Sequence, residues 1–277
     1  MAIITLYRHG MTAGTPPTVN IHKRALRGDC EGWSLSSTRG NTKFLRSVTE
    51  TALTGHGTAI TLTLKLCPES HDEWHRMRAA FTRRLVRMGM IRLHWLTEWQ
   101  RRGVPHLHAA VWFETPVHPH KIISAWLTIS KNFEPNARSQ NVVPITDSVG
   151  WFKYLAKHAV RGAGHYQRSK ENIPEGWKKT GRMWGKWGDW PVSEPIKIEL
   201  NNDGFHAFRR IVRGWRIAQA KSDHTKARRN RIRYARSLLT CHNRHLSEVR
   251  GVSEWIDLDT QEQILHHLAA QGYAVRS

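Results

Sequence analysis

The sequence predicts an α+β fold: a central antiparallel sheet flanked by helices, with a basic helical extension toward the C-terminal end. Three observations predict it. Residues 59–66 alternate between apolar and polar side chains, residues 91–99 and 106–113 read as two strands joined by a tight loop, and residues 70–88 carry apolar side chains at helical spacing.

Residues 1–57 are rich in Gly, Thr and Ser, and show no periodicity beyond a short helix around 41–48. In 59–66, Ile60, Leu62, Leu64 and Leu66 fall on one side of a strand with one buried face. Trp74, Met77, Phe81, Leu85 and Met88 then recur every three or four residues among arginines, which predicts an amphipathic helix. In the loop Arg101-Arg102-Gly103, the glycine suits the left-handed position that closes a three-residue hairpin. That register sets Trp99 opposite Pro105 and Glu98 opposite His106. Ile91, Leu93, Trp95, Leu107, Ala109, Val111 and Phe113 then share one apolar face, and the other face is expected to be wet. A helix over 120–133, a strand over 141–145 and a helix over 150–161 capped by Asp147 follow. A Gly- and Trp-rich stretch leads to an arginine-dense helical region over 203–239 and a last helix over 260–271. The domains so predicted are an unassigned segment (1–57), a sheet domain (58–200) and a basic helical region (201–277).

Lys and Arg number 43 against 22 Asp and Glu, a net charge of +21, and a balance this basic points to a polyanion as partner. An anionic membrane is the rival, but the sequence has no apolar run of about 18 residues to span one. It also lacks the continuous apolar stretch of a secretory signal. Three widely spaced cysteines, Cys30, Cys67 and Cys241, form no CxxC pair and read as free thiols.

On the second hairpin strand, His106 and His108 point the same way, anchored by Leu107 between them, and the register brings Glu98 beside them. Two imidazoles and a carboxylate make a site for a divalent cation, Mn²⁺ or Mg²⁺, with open positions for phosphate oxygens. With 18 histidines in the chain, about one HxH match is expected by chance. The second match, His118-Pro119-His120, is incidental because proline does not sit inside a strand ladder. The first gains its weight from the alternation, from Glu98 and from a tyrosine further on. A helix over 150–161 lines up Tyr154, Lys157, His158 and Arg161 on one face, with Phe152, Leu155, Ala156 and Ala159 on the other. A phenol attacks phosphate only with help from a cation and a neighbouring lysine, and Tyr154 with Lys157 offers that combination.

These segments resemble a known family. Glu98-Trp99-Gln100-Arg101-Arg102-Gly103-Val104-Pro105-His106-Leu107-His108 resembles the metal-binding motif of the HUH endonuclease superfamily, and Tyr154-Leu155-Ala156-Lys157 its Tyr-x-x-Lys nucleophile motif. The strand Ile60-Thr61-Leu62-Thr63-Leu64 sits where that family's first motif is expected, and Gly181-Arg182-Met183-Trp184-Gly185 resembles a later segment. The nearest likeness is to rolling-circle replication initiators of filamentous single-stranded DNA phages, over about residues 33–191. The resemblance implies a ferredoxin- or RRM-like nuclease core, metal binding by Glu98, His106 and His108, attack by Tyr154 and assistance from Lys157. It also implies a 5′-phosphotyrosine intermediate with a free 3′-OH, action on origin DNA alongside host helicase and polymerase, and a place in the cytoplasm of a bacterial host. Initiators with two tyrosines carry a second one a turn later, where this chain has His158, so a single-tyrosine mechanism is implied. Ending a round would then need a second subunit, another residue such as Tyr166, or water.

Trp184 and Trp187 interleave with Lys178, Lys179, Arg182 and Lys186, a combination that suits stacking of unpaired bases beside bound phosphates. Arg209, Arg210 and Arg213 open an arginine run that only Asp223 interrupts, and a nucleic acid is the expected partner. Two other readings stand beside the nickase: a relaxase or single-strand transposase using the same chemistry, and a non-catalytic single-stranded DNA-binding protein.

Overall fold

The computed structural model describes residues 1–14, 30–156, 167–240 and 249–275. In chain order they form β1 (Ala2–Tyr7), β2 (Gly10–Gly14), α1 (Leu35–Ser47), β3 (His56–Leu62), α2 (His71–Arg87), β4 (Met90–Trp99), β5 (Pro105–Phe113), α3 (Pro119–Ile129), β6 (Asn141–Pro144), α4 (Ser148–Leu155), β7 (Trp184–Gly188), β8 (Ile196–Leu200), α5 (Asn202–Ser222), α6 (Arg228–Arg236), β9 (Val252–Glu254) and α7 (Leu258–Ala270). The fold is α+β, with two antiparallel sheets in separate units. One unit is Ala25–Val192 and the other joins Met1–Arg24 to Ser193–Ser277.

The first unit holds a five-stranded sheet of order β6-β3-β5-β4-β7. Its central hairpin has the register that the short loop requires: Glu98 pairs with His106 and Trp99 with Pro105. Gly103 takes φ 72°, a left-handed conformation that costs glycine little and other residues more. Against one face, α2 packs Trp74, Met77, Phe81 and Leu85, all buried. Burial of such side chains contributes roughly 1.5–3 kcal/mol each. Ser70 caps α2 by accepting from the Glu73 amide, and Trp126 of α3 meets Trp74 and Phe81 edge-on. His118, expected to be incidental, is the N-cap of α3 with Pro119 in its first turn.

The opposite face is not wet. α1 and α4 cover it: Phe44 stacks on His94, and Phe152 lies against Trp112. His94, Glu98 and His108 are at most 2% exposed. Alternation along β4 and β5 therefore separates two buried faces, and the polar residues lie in a covered layer. The covering helix α1 comes from the segment left unassigned, where Ser34 caps it.

The second unit corrects the expected boundaries at 57/58 and 200/201. β1 and β2 pair with each other, β1 also pairs with β8 and β2 with β9, giving the order β8-β1-β2-β9. Ile4, Met11, Ile198, Phe205, Phe208, Val212, Ile264 and Leu268 share the core of this unit with α5 and α7. The first strands find their partners almost 200 residues away, a pairing that local pattern cannot reveal. The expected helical run over 203–239 breaks into α5 and α6, and the C-terminal region contributes a strand as well as helices. No helix among the described residues is long and apolar enough to cross a membrane.

Candidate active site

The hairpin delivers Glu98 from β4 and His106 and His108 from β5 to the layer beneath α4. His108 Nδ1 lies 3.0 Å from Thr61 Oγ1 on β3, which fixes the ring. Its Nε2 is buried without a hydrogen bond and faces Glu98 Oε2 at 3.4 Å. The His106 ring stands edge-on to His108, centroids 4.5 Å apart, and its Nδ1 is 3.4 Å from Gln100 Nε2. An imidazole nitrogen and a carboxylate oxygen facing each other away from water form a donor pair that a divalent cation accepts. The expected trio is therefore a facing pair with a third ring alongside. Among the described residues no three His, Cys, Asp or Glu side chains already converge into a cage.

Tyr154 reaches the same place from α4, which Asp147 caps by accepting from the Gly150 amide at 2.8 Å. Phe152, Leu155 and Ala156 are buried while Tyr154 is 37% exposed. Its ring stacks on Trp151 and meets His108 edge-on at 5.6 Å. The nucleophile candidate is thus both open to solvent and in contact with the histidine pair. Lys157, His158, Arg161 and Tyr166 lie outside the described residues, so the helix is described only as far as Leu155.

Sequence reasoning missed Arg168. Its side chain is fully buried and donates from both Nε and an Nη to Glu98 Oε1 at 3.1 Å. The same Nη donates to the Leu155 carbonyl at 3.3 Å, and the guanidinium lies 3.8 Å over the Trp33 ring. Burial lowers its pKa, and the Glu98 carboxylate opposes that shift. Nothing in the sequence around Arg168 marks it, because its partner lies 70 residues away in a region without periodicity. His94 could have been found, since it shares the strand face of Glu98. It is buried, donates from Nε2 to Asn41 Oδ1 at 2.7 Å, and burial pushes its pKa down to about 3.

The expected DNA contacts divide. Lys178, Arg182, Lys186 and Trp187 are exposed, and Lys179 is half-buried. Trp184 instead packs against Phe44 and His94 as part of β7, so it belongs to the layer under α1. In the other unit Arg210 is exposed, but Arg209 is buried and donates to the carbonyls of Arg250 and Leu239. Arg213 is half-buried and donates to the Arg236 carbonyl. A charge run does not separate cations that tie the backbone together from those that face solvent.

Comparison with known proteins agrees with the motifs. The family described as replication-associated protein, ORF2 or phage gene 2 protein, matches residues 57–160. Over 285 residues covering all of both chains, the sequence is 46% identical to a putative replication protein of Xylella fastidiosa strain 9a5c. It is also 46% identical, over 99% of each chain, to the replication-associated gene 2 protein of Pseudomonas phage Pf3. No solved structure matches the chain.

Proposed function

The chain belongs to this family of replication-associated proteins, the filamentous-phage replication initiators its motifs point to, and on that premise we propose that it nicks one DNA strand with Tyr154. The observation that carries this reading is the contact between the Tyr154 ring and His108, whose Nε2 faces Glu98. A phenol on a separate helix and a cation donor pair on a hairpin meet at one point.

Glu98, His106 and His108 would hold the divalent cation, Mn²⁺ or Mg²⁺. Bound there, it would draw negative charge from the phosphate under attack. Thr61 suits the role of fixing the His108 tautomer: with Nδ1–H donating to Thr61 Oγ1, the Nε2 lone pair is left toward Glu98. Tyr154 Oη forms the bond to phosphorus, the P–O3′ bond breaks, the phenolic proton leaves to a base or solvent, and the 3′ oxygen takes up a proton. The products are a 5′-phosphotyrosine link and a 3′-OH able to prime synthesis, and reversal reseals the strand. Lys157, one turn beyond Tyr154, is assigned to charge stabilisation from the sequence motif.

Single-stranded and origin DNA are the substrates under this reading, with host helicase and polymerase acting downstream in the bacterial cytoplasm. The net charge of +21 supports DNA as the partner. Relatives described as replication proteins favour an initiator over a relaxase or transposase. The test is to incubate the protein with single-stranded origin oligonucleotides and Mn²⁺ and look for an SDS-resistant conjugate. Peptide mapping should place the attachment at Tyr154, and a conjugate mapped to any other residue would reject this nucleophile.

A further inference from the structure

Among the described residues, Arg168 is a fully buried cation in contact with the proposed metal carboxylate, and the same guanidinium reaches the helix that carries Tyr154. Its Nε and one Nη both approach Glu98 Oε1, which leaves Oε2 toward His108. That Nη also donates to the carbonyl of Leu155, the residue after Tyr154, where the last turn of α4 has carbonyls without helical partners. Asn41 Nδ2 approaches the same carbonyl at 3.4 Å. Trp33, beneath the guanidinium, is pinned by its Nε1–H to the Thr97 carbonyl at 2.8 Å, next to Glu98 in sequence. The amide of Trp99 on the other side of Glu98 donates to the Gln167 carbonyl at 2.8 Å, which seats the backbone just before Arg168 on β4.

We infer that Arg168 is a positioning residue that braces the ligand carboxylate of Glu98 and the C-terminal end of the Tyr154 helix against each other, so that cation and nucleophile are held in register. This rests on the nickase reading and deepens it. A planar fork can hold one carboxylate oxygen and a carbonyl together, whereas an ammonium group supplies charge without that geometry. The alternative role is a counter-ion that merely neutralises Glu98 until a metal displaces it. The two roles predict opposite signs. A displaced counter-ion competes with the metal, so its removal tightens metal binding. A brace orients the ligand, so its removal weakens it, and loss of such an outer partner typically costs about 10–100-fold in metal affinity or activity.

The test compares the full-length protein with Arg168→Lys and Arg168→Gln, each first checked for a native circular dichroism spectrum. Mn²⁺ affinity is read directly from the free-ion signal in electron paramagnetic resonance. The rate of conjugate formation on an origin oligonucleotide is read separately at saturating Mn²⁺. The brace predicts Mn²⁺ affinity weakened about tenfold or more in both variants and a slower conjugation rate that excess metal does not restore. Lysine, despite its charge, should recover little of either. Unchanged or tighter Mn²⁺ binding in the folded variants overturns the brace, as does full activity in Arg168→Lys. If neither variant folds, amide exchange of wild-type α4 with and without Mn²⁺ decides, since a brace requires the metal to raise protection of the Trp151–Ala156 segment. Absence of Mn²⁺ binding or conjugate in the wild type would instead reject the nickase reading itself.

Discussion

The Tyr154 ring stands edge-on to the His108 imidazole, with centroids 5.6 Å apart and planes at 75°. On its other side it stacks on Trp151 at 4.7 Å, so the ring is held by packing with its neighbours. Tyr154→Phe keeps both ring contacts and removes only the hydroxyl. It should abolish the covalent conjugate while changing stability by less than about 0.5 kcal/mol, as expected for a partly exposed position. Conjugate assays and thermal melts on the same preparation check this, and a melt shifted by many degrees would show the hydroxyl to be structural.

Glu98 and Arg168 are buried as a pair. Removing one partner strands the other charge away from water, which costs about 3–5 kcal/mol, whereas removing both leaves no uncompensated ion. Glu98→Ala should therefore destabilise the fold strongly, and Glu98→Ala with Arg168→Met should recover much of that loss. Urea unfolding of the two single variants and the double variant gives the coupling directly. Strict additivity would mean that the two side chains do not depend on each other.

Much of the site was legible because the hairpin is local. A three-residue loop with a left-handed glycine leaves one register, and that register alone sets Glu98 opposite His106. Tyr154 was legible from helical spacing and motif. Its burial context was not, because α1, the helix that shares the covering layer, comes from a segment whose Gly- and Ser-rich composition hides its capping serine. Arg168 and the pairing of β1 with β8 were illegible for one reason: each depends on a partner far along the chain, chosen by packing and not by local pattern. The arginine run misled in part, since composition cannot tell that Arg209 ties carbonyls inside a core while Arg210 faces water.

His94 makes the fold acid-sensitive. Its pKa falls from 6.5 to about 3 because burial excludes the charged form. Between those values the unfolded chain binds a proton that the folded protein does not, so stability present above pH 6.5 is lost as pH falls toward 3. The loss from this one residue amounts to a few kcal/mol at most. In His94→Gln, which can still donate toward Asn41, the decline in stability between pH 6.5 and pH 4 should be shallower. Unfolding curves at those two pH values measure it, and an identical slope in both proteins would remove His94 from the account.

Trp184 and Trp187 sit on one short strand and should behave oppositely. Trp184 packs on Phe44 and His94, whereas Trp187 is 42% exposed. Trp184→Ala should cost about 3–5 kcal/mol of stability, as large aromatic truncations in cores do. Trp187→Ala should leave the melt nearly unchanged and weaken single-stranded DNA binding by about 1–3 kcal/mol if a base stacks there. Fluorescence anisotropy with a short oligonucleotide separates the two, and unchanged affinity in Trp187→Ala would exclude a stacking role.

Adjacent arginines on α5 allow the sharpest separation of charge from architecture. Arg209 is 8% exposed and donates to two backbone carbonyls, so Arg209→Ala should leave those acceptors without a charged donor and lower stability by about 1–3 kcal/mol. Arg210 faces solvent, so Arg210→Ala should melt like the wild type. If Arg210 meets a phosphate, its loss should weaken binding alike on all sequences and reduce the slope of log affinity against log salt by about 0.7–0.9. Titrations at several salt concentrations read that slope. A wild-type slope in Arg210→Ala would place the phosphate contacts of this unit on other cations, with the exposed Arg229 and Arg233 of α6 the next to change.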